Sequence, residues 1–185
     1  GDYAVQEAAI SDYAARGYRV LVFAAYDGVL DGGALTGRAT SLAYVMLANP
    51  IREGAKETFA YFARQGVQVR VISGDNPVTV AEVAAQAGIA NAGRYVDAST
   101  LRTPADLANA ATKYVVFGRV TPDQKRALVR AMKAKGETVA MTGDGVNDVL
   151  ALKDADCSIA MASGSEAASQ VAQLVLMDSD FSKMP

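Results

Sequence analysis

Met141-Thr142-Gly143-Asp144-Gly145-Val146-Asn147-Asp148 is the stretch on which the reading of the chain turns. Apolar and β-favouring residues at 138–141 deliver it as the end of a strand. Gly143 and Gly145 then let the backbone turn tightly where a side chain would obstruct a ligand. Asp144 and Asp148 stand four apart at the lip of that strand, with the Asn147 amide between them. Carboxylates so spaced can hold one hard cation, and Mg²⁺ typically takes one or two of them plus phosphate oxygens. A polar turn capping the next helix would use the same residue types, so the meaning of the stretch depends on what accompanies it.

Composition sets the outer bounds. The 185 residues are enough for one sizeable core, or for one domain and part of another. A hydrophobic fraction of 51% with modest charge fits a globular α/β protein. The formal net charge of −2, without long basic runs, gives nucleic acid no evident foothold. No apolar run approaches the ~18 residues that a membrane span requires. The single cysteine, Cys157, excludes a disulfide scaffold and suits a reducing compartment. Histidine is absent, which removes Ser-His hydrolysis, histidine metal sites and histidine acid–base chemistry together.

Outward from the central stretch, the pattern predicts a helix over 3–16 and strands over 18–26 and 40–47. Asn49-Pro50 then breaks the rhythm and marks a domain boundary, giving segments 1–48 and 49–185. Beyond it strands and helices alternate: helix 52–65, strand 67–72, a helix from Asn76-Pro77 to Gly88, and a largely irregular stretch over 89–113 with a short helix after Thr103-Pro104. Strand 114–117, a helix from Thr121-Pro122 to Gly136, the central strand, and short strands at 158–161 and 174–177 complete the order. This order implies a doubly wound, mainly parallel α/β sheet with helices on both faces. Such sheets bind ligands at the carboxyl ends of their strands, so Ser73-Gly74-Asp75, Gly118-Arg119 and Thr142-Gly143-Asp144 should converge on one edge.

The converging groups have phosphate chemistry in common. Ser73, Gly74 and Asp75 offer a hydroxyl, an unobstructed N–H and a carboxylate before a helix start, where anions are favoured. Helix capping by Asp75 or Asn76 is the simpler use of the same residues. Lys125 falls in the first turn of a helix, where a cation is electrostatically unfavourable unless something negative lies opposite. Together with a metal on Asp144 and Asp148, these groups could make a phosphoryl site that works by positioning and charge stabilisation.

The run 142–148, continuing through Ala151-Leu152-Lys153-Asp154-Ala155-Asp156, resembles the hinge motif of P-type cation-transporting ATPases, members of the haloacid dehalogenase-like superfamily. Ile72-Ser73-Gly74-Asp75-Asn76-Pro77 is similar to their Thr-Gly-Asp motif, with serine for threonine, and Gly118-Arg119-Val120-Thr121-Pro122-Asp123-Gln124-Lys125 to their lysine-bearing segment. Asn49-Pro50-Ile51-Arg52 resembles the joint between nucleotide and phosphorylation domains, with Asn for Asp, and Gly17-Tyr18-Arg19-Val20-Leu21 the end of the nucleotide domain. The resemblance implies a haloacid dehalogenase-like Rossmannoid fold beside a small β-containing remnant of the nucleotide domain. It implies that Asp144 binds Mg²⁺ with help from Asp148, and that Lys125 and Asn147 contact the transferred phosphoryl group. It implies too that Ser73, Gly74 and Asp75 line the phosphate site, that Arg19 and Arg119 contact ATP, and that Arg52 serves the joint. The partners implied are ATP, a transported cation and the remaining pump with its membrane helices, at the cytoplasmic face of a membrane.

The family's aspartate nucleophile belongs to an Asp-Lys-Thr-Gly-Thr motif that does not occur here. The resemblance therefore implies a segment that lacks the nucleophile strand and is inactive alone, within a pump that forms an aspartyl phosphate. A rival reading is a soluble haloacid dehalogenase-like phosphatase or pseudo-phosphatase, in which Val20 to Leu30 imitates the nucleophile strand with Ala25 at the nucleophile position. Another is a nucleotide-binding regulatory module. The missing strand would sit between 67–72 and 138–142. Residues 19–26 folding back into the slot is the preferred expectation, ahead of a strand from a second copy or direct pairing of the two neighbours.

Overall fold

The computed structural model describes residues 3–29, 32, 37–48 and 50–185. The chain divides into two compact units, Gly1–Pro50 and Ile51–Pro185. Asn49, at the expected joint, lies outside the described residues, as does most of the Asp31-Gly32-Gly33 turn.

In the first unit, helix α1 (Tyr3–Ala15) leads through Gly17, at φ 85°, into strand β1 (Arg19–Tyr26). β1 pairs antiparallel with β2 (Ala39–Leu47), from Arg19 opposite Leu47 to Tyr26 opposite Ala39, with an irregularity at Phe23/Ala24. β2 is the only strand with which β1 pairs among the described residues. The expectation that residues 19–26 fill a slot in the main sheet is therefore wrong: their alternating partners are supplied by 39–47, the next β-favouring run, across a short connection.

The second unit opens with α2 (Ala55–Arg64), β3 (Val71–Ile72) and α3 (Pro77–Gln86). β4 (Tyr95–Asp97), α4 (Pro104–Lys113), β5 (Val116–Gly118) and α5 (Pro122–Ala134) follow. β6 (Ala140–Gly143), α6 (Val149–Asp154), β7 (Cys157–Met161), α7 (Glu166–Val171) and β8 (Leu174–Leu176) complete it. Helix starts are set locally. Asn76 accepts from Val78 N at 2.9 Å ahead of Pro77, and Thr103 with Asp106 and Thr121 with Gln124 form reciprocal capping boxes.

Every strand pair in this unit is parallel, in two three-stranded sheets ordered β3-β5-β4 and β6-β7-β8. Helix α5 joins them. Its consecutive residues Leu128 and Val129 are both fully buried, Leu128 in the core built on Phe117 and α4, Val129 in the core built on Met141, Leu152 and Ala160. Helix α3 packs Ala81 and Ala84 against Val115 and Val116 in a third cluster.

β3 and β6 each pair on one side only among the described residues, and their other edges face one cavity of about 360 Å³. Direct pairing of these two strands, one of the expected ways of closing the gap, does not occur. The edges differ in exposure: Val71, Ile72 and Thr142 are half-buried and Ala140 is exposed, whereas Met141 and Gly143 are buried.

Candidate phosphoryl site

The cavity between β3 and β6 is lined by Ser73, Gly74, Lys125, Thr142, Asp144 and Asp148, with Ile72 and two methionines behind them. Strand ends supply most of these groups. Ser73 and Gly74 follow β3, and the Ser73 hydroxyl accepts from Asp75 N at 3.1 Å, closing a tight turn that leads to the α3 cap. The turn is held against the β5 exit: Val120 N donates to Ser73 O at 3.0 Å and Arg119 N to Asp75 O at 2.8 Å.

Lys125 reaches the cavity from the first turn of α5, and its Nζ lies 2.6 Å from Asp148 Oδ1. This is the negative partner that its place at a helix start requires. The other Asp148 oxygen accepts from Gly145 N at 3.1 Å, so both carboxylate oxygens are engaged in a nearly buried position. Gly143 makes this possible: a Cβ there would stand 2.6 Å from Asp148 Cβ. Asp144 differs in being exposed on the cavity rim. Its backbone is fixed by Ser165 N, which donates to Asp144 O at 2.6 Å, and a Cβ on Gly164 would come within 2.5 Å of that same oxygen.

The remaining expected residues are placed less centrally. Asp75 and exposed Asn147 sit beside the lining, Asn147 on a 3-10 turn over Val146–Asp148. Arg119 adopts φ 52° and turns its guanidinium to Asp97, with Nη1 2.5 Å from Oδ2. Burial opposes ionisation of Asp97, but the Ser99 hydroxyl and amide and the Arg119 charge together hold its pKa below the usual carboxylate value. Arg19, exposed, belongs to the first unit. The Ala162-Ser163-Gly164-Ser165 turn that steadies Asp144 was not anticipated, although it is one more glycine-bearing polar cluster at a strand's carboxyl end.

The described residues hold no group of three or more potential metal-ligating side chains. A cation here would have to complete its shell with oxygens from a ligand, the habit of Mg²⁺ at phosphate sites. The donor set fits that use: Asp144 is available at the rim, and Asp148 is a carboxylate locked behind it.

A family model for haloacid dehalogenase-like hydrolases matches residues 8–156, and the chain belongs to that family. Its relatives include the calcium-transporting ATPase CtpE of Mycobacterium bovis, 51% identical over 92% of this chain and 21% of that protein. The probable cation-transporting ATPase exp7 of Streptococcus pneumoniae is 48% identical over 92% of this chain and 22% of its own length. The magnesium-transporting ATPase, P-type 1, of Salmonella typhimurium is 34% identical over 91% of this chain and 19% of its own. The chain thus spans about a fifth of the length of these relatives. Among solved structures, the catalytic domain of the CPx-ATPase CopB-B superposes with a TM-score of 0.58 over 82% of this chain and 50% of that one, at 23% identity, a likeness of fold.

Proposed function

We propose that this chain is part of an ATP-driven cation pump at the cytoplasmic face of a membrane, and supplies most of its phosphorylation domain. Residues 1–48 would be the end of the nucleotide domain, and 49–185 the phosphorylation domain without its nucleophile strand. The observation that carries the reading is the placement of Ser73, Gly74, Lys125, Asp144 and Asp148 around one cavity, between two strands whose facing edges are unpaired among the described residues. A parallel strand entering that gap from another segment would bring its carboxyl end to the same group of side chains, where an aspartate nucleophile is required.

In this reading Mg²⁺ supplies charge neutralisation for the transferring phosphoryl group. Asp144 is the residue that would hold it, and Asp148, anchored by Lys125 and Gly145, keeps Lys125 directed into the cavity. Ser73 and the Gly74 backbone would donate to phosphoryl oxygens, with Asp75 holding their turn. Lys125 and Asn147 would contact the transferred group, Lys125 with its charge and Asn147 through its amide N–H. Arg19 and Arg119 would meet ATP, Arg119 while tethered to Asp97. The phosphorylation step calls for no histidine base: attack by a carboxylate needs no proton removed.

The test is transport by the gene product that carries this segment. Reconstituted in vesicles, it should accumulate a cation only when ATP and Mg²⁺ are present, and Asp144→Asn should abolish uptake. A gene product with full ATP-independent phosphatase activity and no transport would instead favour the soluble phosphatase reading.

A further inference from the structure

A cavity larger than the phosphoryl site lies elsewhere in the second unit. A space of about 510 Å³ opens at the other end of the sheet, where Val67–Arg70 enter β3, Arg94 enters β4 and Val115 enters β5. The strands are parallel, so this end lies opposite the turns that hold Ser73, Gly74 and Gly118. Its volume is in the range of small-ligand sites.

Its charge is one-sided. Arg70, Arg94 and Lys113 line it, and no Asp or Glu does. Two of the three have a structural duty as well. Arg94 donates to the Lys113 carbonyl at the end of α4, and Lys113 lies in the last turn of that helix, where a cation is favoured. Arg70 is different. One guanidinium nitrogen donates to Gln68 Oε1 at 3.1 Å, but its Nε is buried and has no acceptor in the protein. Burial and the like charge of Arg94 both lower the Arg70 pKa, with exposed Glu137 as the opposing influence. That nitrogen is sealed from solvent, so it is the cationic heads lining the cavity, with no carboxylate among the lining residues, that favour an anion.

We propose that this cavity is a second anion site, separate from the phosphoryl site and suited to a phosphomonoester group. Three lining cations, offset by Glu137, leave about two positive charges. A phosphomonoester carries about −1.5 to −2 at neutral pH and presents oxygens in the geometry that a guanidinium fork matches. The cavity is half-apolar in its walls, with Phe59, Ile89 and Tyr114 beside the cations, so the group could arrive on inorganic phosphate or on a lipid headgroup.

Titration of the isotope-labelled chain with inorganic phosphate at fixed ionic strength, followed by amide NMR, tests the site. Saturable shifts are expected at Arg70, Arg94 and Lys113. Arg70→Gln should weaken that binding roughly tenfold or more. Lys113→Gln, at an exposed position, should weaken it without touching the core, and Ser73→Ala should leave it in place. Co-sedimentation with phosphatidylcholine vesicles that requires added phosphatidic acid, and is lost in Arg70→Gln, would assign the headgroup as the source. Phosphate shifts without vesicle binding would assign the soluble anion. Shifts confined to 73–75 and 142–148, or binding unchanged in Arg70→Gln and Lys113→Gln, would overturn the proposal while leaving the phosphoryl site standing.

Discussion

Lys125 Nζ and Asp148 Oδ1 are 2.6 Å apart, with 12% and 9% of the two side chains exposed. Two opposite charges so nearly desolvated depend on each other, since removal of one leaves the other buried and uncompensated. The pair also joins α5, which holds the two sheets together, to the turn that follows β6.

Lys125→Met should therefore destabilise the fold by about 3–5 kcal/mol, the usual effect of breaking a buried pair from one side. Lys125→Met combined with Asp148→Asn should recover roughly half of that loss or more, because the amide keeps an acceptor for Gly145 N. Urea denaturation of the four proteins of this cycle measures the coupling. Strict additivity would mean that the two residues act separately.

Asp144 should behave in the opposite way. It is exposed, so Asp144→Asn should change stability by no more than about 0.5 kcal/mol. On the proposed reading, the same change in the full-length protein should lower its phosphorylation by roughly 10²-fold, as losses of single electrostatic stabilisers do. Mg²⁺ titration of both proteins separates the effects, and equal Mg²⁺ affinity would remove Asp144 from the metal site.

Gly164→Ala places a methyl within 2.5 Å of Asp144 O. The β7–α7 turn must retreat, at a cost of about 1–3 kcal/mol, and Asp144 should move with it. Lower melting temperature together with weaker Mg²⁺ binding is the expected pair of outcomes. A loss of stability with Mg²⁺ binding intact would confine Gly164 to packing.

Acid should expose a third relationship. Asp154 accepts from Arg126 Nε and Arg130 Nε, each at 2.6 Å, and these two contacts, Arg126 foremost, hold its pKa below the usual carboxylate value despite partial burial. A carboxylate with a depressed folded pKa contributes stability that is present above its unfolded pKa and disappears as pH falls through the folded one. Arg126→Gln/Arg130→Gln should be less stable than wild type at pH 7, and the difference should shrink below about pH 4. Denaturation midpoints across pH 2–7 would show it, and a gap that is constant with pH would refute it.

The sequence made the carboxyl-end clusters legible because each carries residues that local physics restricts: a glycine where a Cβ would collide, a proline after a capping residue, a lysine needing an anion. The lengths of strands were less legible. The run 67–72 reads as six strand residues, yet only Val71 and Ile72 are laddered, opposite Val116 and Phe117 of the three-residue β5. β4, within a stretch expected to be mostly irregular, is three residues whose pairing with β5 has no local signal. Helices α6 and α7 have six residues each, too short for an amphipathic period to show. The imitation of a nucleophile strand at residues 20–30 misled for a related reason. Pairing partners are chosen by which edges meet, and β1 meets β2.

On the proposed reading, the nucleophile that this site serves is carried on another segment. Incubation of the isolated chain with γ-labelled ATP and Mg²⁺, followed by acid quench, tests it most directly. No acid-stable label above background is expected, whereas acid-stable, hydroxylamine-labile phosphate on this chain would place a nucleophile within it and refute the reading.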